Sequence, residues 1–325
     1  YLILNKDLPN TIQLRQFEKE ERNNRELTKN LYEIIKHMPK RSHPMDVART
    51  AVSVMGLEDK ETTDSSPEAN MRKALRIFAK TPTALAAFYR IRKGKKIIKP
   101  KKNLTFAENF FYMCFGKVPQ KEIVKAFDVS LILYAEHSFN VSTFTARTIT
   151  SSLSDIHGAI TGAIASLKGP LHGGANEEVM HMMNKIKKPE NALKWINNAL
   201  KNKEVVMGFG HRVYKSGDSR VPTMRKYFGK VAKLKKDKKF EKIYDIVEKV
   251  MIKKKNIHPN VDYPTGPTYH LMGFDTDFFT PIFVISRITG WSAHIMEQHA
   301  ANKLIRPLAS YKGSKHRKVM QLNQR

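Results

Sequence analysis

The sequence predicts an all-α protein. Apolar residues recur at helical spacing in five long segments, and few stretches alternate between apolar and polar residues as a half-buried strand does. The order of elements typical of a parallel sheet, in which strands and helices alternate, is also missing from the sequence. The five predicted helical segments are residues 11–38, 70–92, 105–115, 120–137 and 192–201.

Local signals predict where several helices begin and end. Residues 9–11, Pro-Asn-Thr, are typical of a helix start, and Thr105 and Glu108 have the spacing of a capping box. The pair Gly169 and Pro170 predicts the end of a helix that begins near residue 148. This last helix is rich in small residues, including Gly158 and Gly162, so another helix can approach it closely. Core packing and a subunit interface both remain open for it.

Length and composition indicate a folded globular protein. The chain has 325 residues, of which 41% are hydrophobic and 9% aromatic, enough for one large domain or two smaller ones. Cys114 is the only cysteine, so no intrachain disulfide can form, and we expect a reducing, cytoplasmic setting. No apolar run approaches the roughly 20 residues of a membrane helix, so no membrane partner is expected. Because the chain starts at Tyr1 without a signal-peptide pattern, we also expect that upstream residues are missing.

The formal net charge of +28 has two interpretations. One is nucleic-acid binding, and the other is a lysine-rich surface that keeps the protein soluble and attracts small anions. The densest basic runs are residues 90–102, 185–188 and 233–239. Lysine dominates them, and they lack the interleaved aromatic residues of a single-strand binder. The second interpretation is therefore favoured, and no nucleic-acid partner is expected; a basic helical protein that binds nucleic acid remains a distant alternative.

Three short motifs carry the candidate chemistry. Two glycine-flanked segments, residues 169–176 and 208–214, contain His172 and His211, and a third motif ends in Asp262. Two imidazoles and a carboxylate are able to move a proton while polarising a carbonyl. Taken one at a time, each loop histidine is more often structural, and an aspartate near prolines is more often a turn or cap residue.

Three arginines are candidates for holding a substrate with several carboxylates. Arg220 and Arg306 lie in irregular sequence, before a valine and a proline respectively. Arg287 lies within an apolar stretch, residues 282–288, where a guanidinium must find a carboxylate or a bound anion. Bidentate binding of carboxylates is where arginine is superior to lysine.

The order and the residues of these motifs resemble those of the citrate synthase and 2-methylcitrate synthase family. Each segment alone is modest support, but their joint order is specific, and the resemblance covers nearly the whole chain apart from the family's N-terminal segment. The matching segments are residues 42–47, 135–144, the two histidine motifs, 260–262, and 279–287 continuing through 290–291, 293–298 and 305–307.

The resemblance implies a role for each site residue. The family's enolate-stabilising histidine falls on His172, its carbonyl-polarising histidine on His211, and its catalytic base on Asp262. His137 matches a histidine that contacts oxaloacetate. Lys215 aligns where many relatives have a basic residue for coenzyme A.

The family's carboxylate-binding arginines fall on Arg220, Arg287 and Arg306. The family contributes the last of these across a dimer, so a homodimer is implied. One departure from the family pattern is Ser219, which stands where a proline usually precedes the matching arginine. The absence of this proline is expected to loosen the loop without removing Arg220.

The resemblance also implies an architecture and a reaction. A large helical domain, residues 1–172 and 271–325, is expected to carry a smaller inserted helical domain, residues 173–270. The implied reaction is a Claisen-type condensation of an acyl-CoA co-substrate with oxaloacetate, followed by thioester hydrolysis, with no metal and no permanently bound cofactor. The wording of residues 263–274 looks most like 2-methylcitrate synthases, which favours propionyl-CoA, with acetyl-CoA as the alternative. A non-catalytic member of the family is a further alternative, and the presence of all the implied site residues disfavours it.

Overall fold

The computed structural model describes residues 1–214 and 216–325, and over these residues the fold is built from α-helices. The all-α prediction is confirmed. The only β-type pairing in the described part of the chain is an isolated bridge between Phe209 and Pro259. The helices are α1 Leu2–Asn5, α2 Thr11–Asn23, α3 Lys29–His37, α4 Pro44–Glu58, α5 Pro67–Arg92, α6 Phe106–Phe115, α7 Lys121–Tyr134, α8 Val141–Thr150, α9 Ile156–Leu167, α10 Ala175–Ile186, α11 Pro189–Lys201, α12 Val221–Leu234, α13 Lys239–Lys255, α14 Asp262–Met272 and α15 Phe279–Ala300.

The two predicted helix starts are confirmed by their capping contacts. Asn10 accepts a hydrogen bond from the backbone N–H of Gln13, and the Gln13 side chain accepts one from the backbone N–H of Asn10. Thr105 and Glu108 form the same reciprocal pair at the start of α6. Each pair satisfies N–H groups that the first turn of a helix leaves without intrahelical partners.

Two predictions of a single continuous helix are wrong, because in each segment the structure has a break between two helices. The segment 11–38 breaks between α2 and α3, where Thr28 caps the second helix by accepting from the N–H of Leu31. The segment 148–167 breaks between α8 and α9, where Asp155 accepts from the N–H of Gly158 at 2.9 Å. In both places a side-chain oxygen offers the backbone a start for a new helix, which competes with continuing the old one.

The main hydrophobic core lies between α4, α5, α8, α9 and α15. Helix α15 is buried along most of its length, and its Trp291 is fully buried. A Cβ at Gly162 would overlap the side chain of Ile149, so this glycine lets α8 and α9 pack closely. The small residues of α9 therefore serve packing within the chain; the interface interpretation stays a prediction.

A second group of helices, α10 to α14, forms the segment for which the sequence predicts a separate domain. Helix α14 packs against α10 and α12, and α11 packs against α13. Helix α12 also contacts α7, and α10 contacts α15, so this group adjoins the main core. The division at residues 173 and 270 stays a prediction. Among the described residues, no helix is both long enough and apolar enough to span a membrane.

Candidate functional site

His172 lies in the tight turn that connects α9 and α10. A side chain at the next residue, Gly173, would overlap the Leu167 carbonyl and side chain, so only glycine allows this turn to fold back on α9. His172 Nε2 lies 3.1 Å from the backbone nitrogen of Ser142 and 2.8 Å from its hydroxyl oxygen. Because a backbone N–H can only donate, Nε2 is the acceptor and the neutral ring carries its proton on Nδ1.

Burial keeps the His172 ring neutral. Desolvation, with the nearby charge of Arg287, lowers the pKa of His172 to about 4. The Ser142 hydroxyl that contacts the ring is itself held, because it accepts from Trp291 Nε1 at 3.1 Å. Near neutral pH this arrangement presents a hydrogen-bond donor at His172 Nδ1.

His211 and His137 form a second pair of imidazoles. His211 Nδ1 accepts from the backbone N–H groups of Val213 and Tyr214 at 3.0 and 3.2 Å, so its proton lies on Nε2. That Nε2–H donates to His137 Nε2 at 3.0 Å. Burial, together with the charge of Arg220, lowers the pKa of His137 to about 4, and the same two causes lower the pKa of His211. Both rings are therefore neutral near pH 7.

Asp262 opens α14, with its backbone N–H bonded to the side chain of Asn260 at 3.1 Å. Its carboxylate accepts a hydrogen bond of 2.5 Å from the hydroxyl of Tyr134. Desolvation raises the pKa of Asp262 to about 6, against the opposing effects of the Tyr134 hydrogen bond and the charge of Arg220. A carboxylate with such a pKa is ionised at neutral pH and basic enough to accept a proton.

Arg287 is 1% exposed and has no carboxylate partner in the described part of the chain. Its Nε donates to the carbonyl of Tyr134 at 2.6 Å, and its buried Nη1 has no hydrogen-bond partner. Desolvation and the neighbouring charge of Arg220 lower the pKa of Arg287 to about 9. A buried, unpaired guanidinium beside a second arginine is the arrangement expected of a binding site for an anion with more than one carboxylate.

Arg220 is oriented by Asp218. Its Nε and Nη2 donate to the two carboxylate oxygens of Asp218 at 2.9 and 2.8 Å, which leaves Nη1 outside this pair. Asp218 also accepts from the backbone N–H of Val261, the residue before Asp262, at 3.0 Å. Asp218 therefore fixes the position of Arg220 relative to the start of α14.

A cavity of about 260 Å³ opens beside His211. Its walls come from the loop that carries His211 and from residues 256–259, which follow the lysine-rich end of α13. The described residues contain no cluster of histidine, cysteine or carboxylate side chains that could hold a metal ion.

Comparison with known proteins identifies the family. The sequence model described as "Citrate synthase, C-terminal domain" matches residues 1–308. The chain is 50% identical over 320 residues to a citrate synthase of Mycolicibacterium smegmatis, covering 98% of this chain and 85% of that protein. It is also 50% identical over 317 residues to a 2-methylcitrate synthase of Mycobacterium tuberculosis, covering 98% and 80%.

The chain belongs to the citrate synthase family. It is therefore an enzyme of the family that condenses an acyl-CoA with oxaloacetate. Among solved structures, it resembles the citrate synthase of the archaeon Thermoplasma acidophilum in ternary complex with carboxymethyl coenzyme A and oxaloacetate, with a TM-score of 0.94 and 32% identity. That match covers 100% of this chain and 87% of the archaeal one.

The structure brings together most, but not all, of the residues that the citrate synthase resemblance implies. Arg287 contributes to the electrostatic environment of His172, His137 and Asp262, and Arg220 to that of His211. Arg306 is exposed, and its guanidinium bonds only to the Pro307 carbonyl among the described residues. Lys215 lies outside the described residues.

The sequence did not identify the residues that hold these candidate side chains in place. Tyr134 donates to Asp262, Asp218 orients Arg220, and Ser142 contacts His172. Ser142 lies inside the matching segment 135–144 and Asp218 lies two residues before Arg220, so their positions in the sequence were the available signal. Tyr134 ends a helix that sequence analysis identified only by its apolar spacing.

Proposed function

We propose that this enzyme condenses propionyl-CoA or acetyl-CoA with oxaloacetate and then hydrolyses the thioester, giving 2-methylcitrate or citrate and free coenzyme A. The observation that carries the proposal is Arg287, a buried guanidinium with an unpartnered nitrogen beside neutral imidazoles and a carboxylate of raised pKa. The site thus combines an anchor for a polyanionic ketone with a base and with neutral hydrogen-bond donors.

Oxaloacetate is proposed to bind first. Arg287 Nη1 and Arg220 Nη1, neither of which is used by a protein carboxylate, hold its carboxylates. His211 Nε2–H exchanges its hydrogen bond to His137 for one to the ketone oxygen. Because both imidazole rings are neutral, this exchange is easy. The backbone contacts on His211 Nδ1 keep the proton on Nε2 throughout.

The acyl-CoA is proposed to be activated between Asp262 and His172. Asp262 takes the α-proton, and the C–H electron pair forms the C=C bond of an enolate. His172 Nδ1–H donates a hydrogen bond to the thioester oxygen, on which the negative charge develops. The enolate carbon then attacks the ketone carbon that His211 polarises, and the π electrons pass to the ketone oxygen. This oxygen takes up a proton from solvent, and Asp262 returns the α-proton to solvent. Water afterwards cleaves the thioester and releases coenzyme A.

The coenzyme A moiety is proposed to lie along the cavity beside His211. Residues 256–259 form one wall, and Lys253 to Lys255 at the end of α13 supply positive charge next to it. Lysine binds phosphate as a flexible point charge, which suits the diphosphate of coenzyme A. Lys215 is proposed as a further contact with coenzyme A.

Propionyl-CoA is proposed as the preferred donor. A methylene group is worth only about 1–3 kcal/mol in an apolar pocket, so both donors are expected to react. The assay measures release of free coenzyme A from oxaloacetate with each thioester in parallel. A several-fold higher kcat/KM with propionyl-CoA supports 2-methylcitrate synthase, preference for acetyl-CoA supports citrate synthase, and no release from a folded protein contradicts the proposed function.

We also propose a cytoplasmic homodimer in which Arg306 completes the site of the partner subunit, and in which residues 173–270 close over oxaloacetate. The exposure of Arg306 in the single chain is consistent with such a role. Mixing inactive Arg306→Ala and Asp262→Ala chains tests it. Recovery of activity in the mixed dimers is expected, since one of their two sites then has both residues; no recovery contradicts the exchange.

A further inference from the structure

The end of α7 is joined to α15 by three successive contacts. The last carbonyls of a helix have no intrahelical partner and must be satisfied elsewhere. Here α15 supplies the donors: the Ser286 hydroxyl bonds to the Leu131 carbonyl, Arg287 Nε to the Tyr134 carbonyl, and the Gly290 N–H to the Ala135 carbonyl. The position of Arg287 is thereby tied to the backbone of Tyr134.

The side chain of the same tyrosine reaches α14. The Tyr134 hydroxyl donates to Asp262 Oδ1 at 2.5 Å, across 128 residues of sequence. Its ring is 1% exposed and packs on Phe283 with ring centroids 4.2 Å apart, and Phe283 in turn lies 4.6 Å below the guanidinium of Arg287. The ring therefore has little freedom to move away from Asp262.

We propose that Tyr134 is a positioning residue that sets the distance between the substrate anchor Arg287 and the base Asp262, by its carbonyl on one side and its hydroxyl on the other. This inference rests on the proposed function. With Oδ1 held by the phenol, only Oδ2 of Asp262 is free to take the α-proton, and the phenol keeps its own proton throughout. The carboxylate thus presents one oxygen in one orientation.

Several charged or titratable groups surround Asp262. Tyr134 faces it from α7, Arg287 from α15, Asp218 and Arg220 from the segment before α12, and Tyr269 from its own helix. Within this set, the Tyr134 hydroxyl stabilises the ionised carboxylate by a direct hydrogen bond. Removing the hydroxyl while keeping the other groups is therefore expected to raise the pH at which Asp262 loses its proton.

The test compares Tyr134→Phe with wild type and with Tyr263→Phe. The control loses an equally buried hydroxyl, which donates to the Tyr244 carbonyl instead of Asp262. Tyr134→Phe is expected to lower kcat about ten- to a hundredfold, the range of one hydrogen bond to a charged group, and to move the acid limb of kcat/KM to higher pH. The KM for oxaloacetate is expected to stay within about twofold, because the backbone contact to Arg287 remains.

A second variant keeps the shape of the residue. Incorporation of 3-fluorotyrosine at position 134 makes the phenol a stronger donor, so the acid limb is expected to move to lower pH. Wild-type-like kinetics and an unmoved acid limb in both variants would overturn the inference, as would equal losses in Tyr134→Phe and Tyr263→Phe. A wild-type enzyme that releases no coenzyme A would overturn the proposed function itself, and this role with it.

Discussion

At the scale of single residues, the described part of the chain contains two buried arginines of opposite kinds, Arg25 far from the candidate site in sequence and Arg287 within it. Arg25 is 2% exposed and is paired with Glu21 at 2.5 Å and with two backbone carbonyls. Arg287 is equally buried and has no carboxylate partner among the described residues. Removing a paired ion leaves its partner buried and unpaired, whereas removing an unpaired one relieves a desolvation penalty.

We therefore expect different effects from the same substitution. Arg287→Met is expected to change the melting temperature of the ligand-free protein little, because relief of the desolvation penalty offsets the lost hydrogen bond to the Tyr134 carbonyl. It is expected to abolish the increase of the melting temperature with oxaloacetate, since the anion stabilises by binding the folded state. Arg25→Met is expected to destabilise by about 3–5 kcal/mol and to keep the oxaloacetate response. Thermal unfolding with and without oxaloacetate measures both; an intact ligand response in Arg287→Met would contradict the assignment.

The pKa of Asp262 predicts how activity and stability depend on pH. Since the pKa of Asp262 is about 6, while those of His172 and His137 are about 4, the fall of kcat/KM below neutral pH is expected to follow Asp262. The folded-state pKa lies above the ordinary value of an aspartate, so the ionised carboxylate destabilises the fold above pH 6, and this penalty disappears below about pH 4.

Asp262→Asn is accordingly expected to raise the free energy of unfolding at pH 8 on the order of 1–3 kcal/mol, and to leave it nearly unchanged at pH 4. Urea unfolding at the two pH values measures the difference. A stabilisation of equal size at both would show that packing, and not ionisation, is responsible.

The sequence indicated the candidate site residues, but not the residues that orient them. His172, His211 and Asp262 stand in short motifs, so their side chains are named by sequence alone. Their protonation states depend on contacts from elsewhere: Ser142 fixes the tautomer of His172 from 30 residues away, and Tyr134 reaches Asp262 from 128 residues away. Contacts of this range are set by packing and leave no local spacing signal.

At the scale of elements, the segments that carry His172 and Asp262 lead into two helices that pack together, α10 and α14. The first helix follows His172 and the second begins with Asp262. A Cβ at Gly266 would lie 2.7 Å from the backbone carbonyl of Asn176, so glycine is required for this approach. Because neither backbone can yield as a flexible side chain does, any larger residue must push the two helices apart.

Gly266→Ala is expected to lower kcat by separating His172 from Asp262, and to destabilise the fold by about 1–3 kcal/mol through overpacking. Gly229→Ala on α12 is the matched control. Its added Cβ would meet only the ends of the Glu241 and Arg225 side chains, at 3.3 and 3.4 Å, and alanine favours the helix by about 1 kcal/mol. Steady-state rates and urea unfolding compare the pair; equal kcat values would contradict a positioning role for the contact between α10 and α14.

Helix existence followed from apolar spacing, but helix ends depended on capping. The spacing signal runs through residues 24–28 and 151–155, where the chain turns. Thr28 and Asp155 mark these breaks once their backbone contacts are known. Both residue types also occur within helices, which is why the sequence alone did not separate the paired helices.

At the scale of the whole molecule, apolar spacing predicted the helical class and joint motif order predicted the family, whereas composition predicted only a folded, basic protein. About half of the net charge lies between residues 185 and 255. None of the described lysines between residues 185 and 255 lies within ion-pair distance of a carboxylate, although the arginines at 220 and 225 do. The turn between α12 and α13, residues 235–238, is an exposed part of this region.

This unneutralised charge is expected to attract the anionic substrates before they reach the site. Fields of this kind raise association rates and are screened by salt, with a Debye length of about 10 Å at 0.1 M and about 30 Å at 0.01 M. We therefore expect kcat/KM for the acyl-CoA to fall several-fold when the ionic strength rises from about 0.01 M to about 0.1 M, while kcat stays nearly constant.

Charge reversal separates steering from binding at the site. Lys233→Glu with Lys236→Glu is expected to flatten the salt dependence of kcat/KM, because the attraction is long-ranged and does not require contact. Lys95→Glu with Lys96→Glu, in the basic connector after α5, is the control for net charge alone. An equal effect of both pairs would assign the attraction to the total charge of the molecule, whereas salt-sensitive binding of nucleic acid that is indifferent to oxaloacetate would assign the basic region to a different partner.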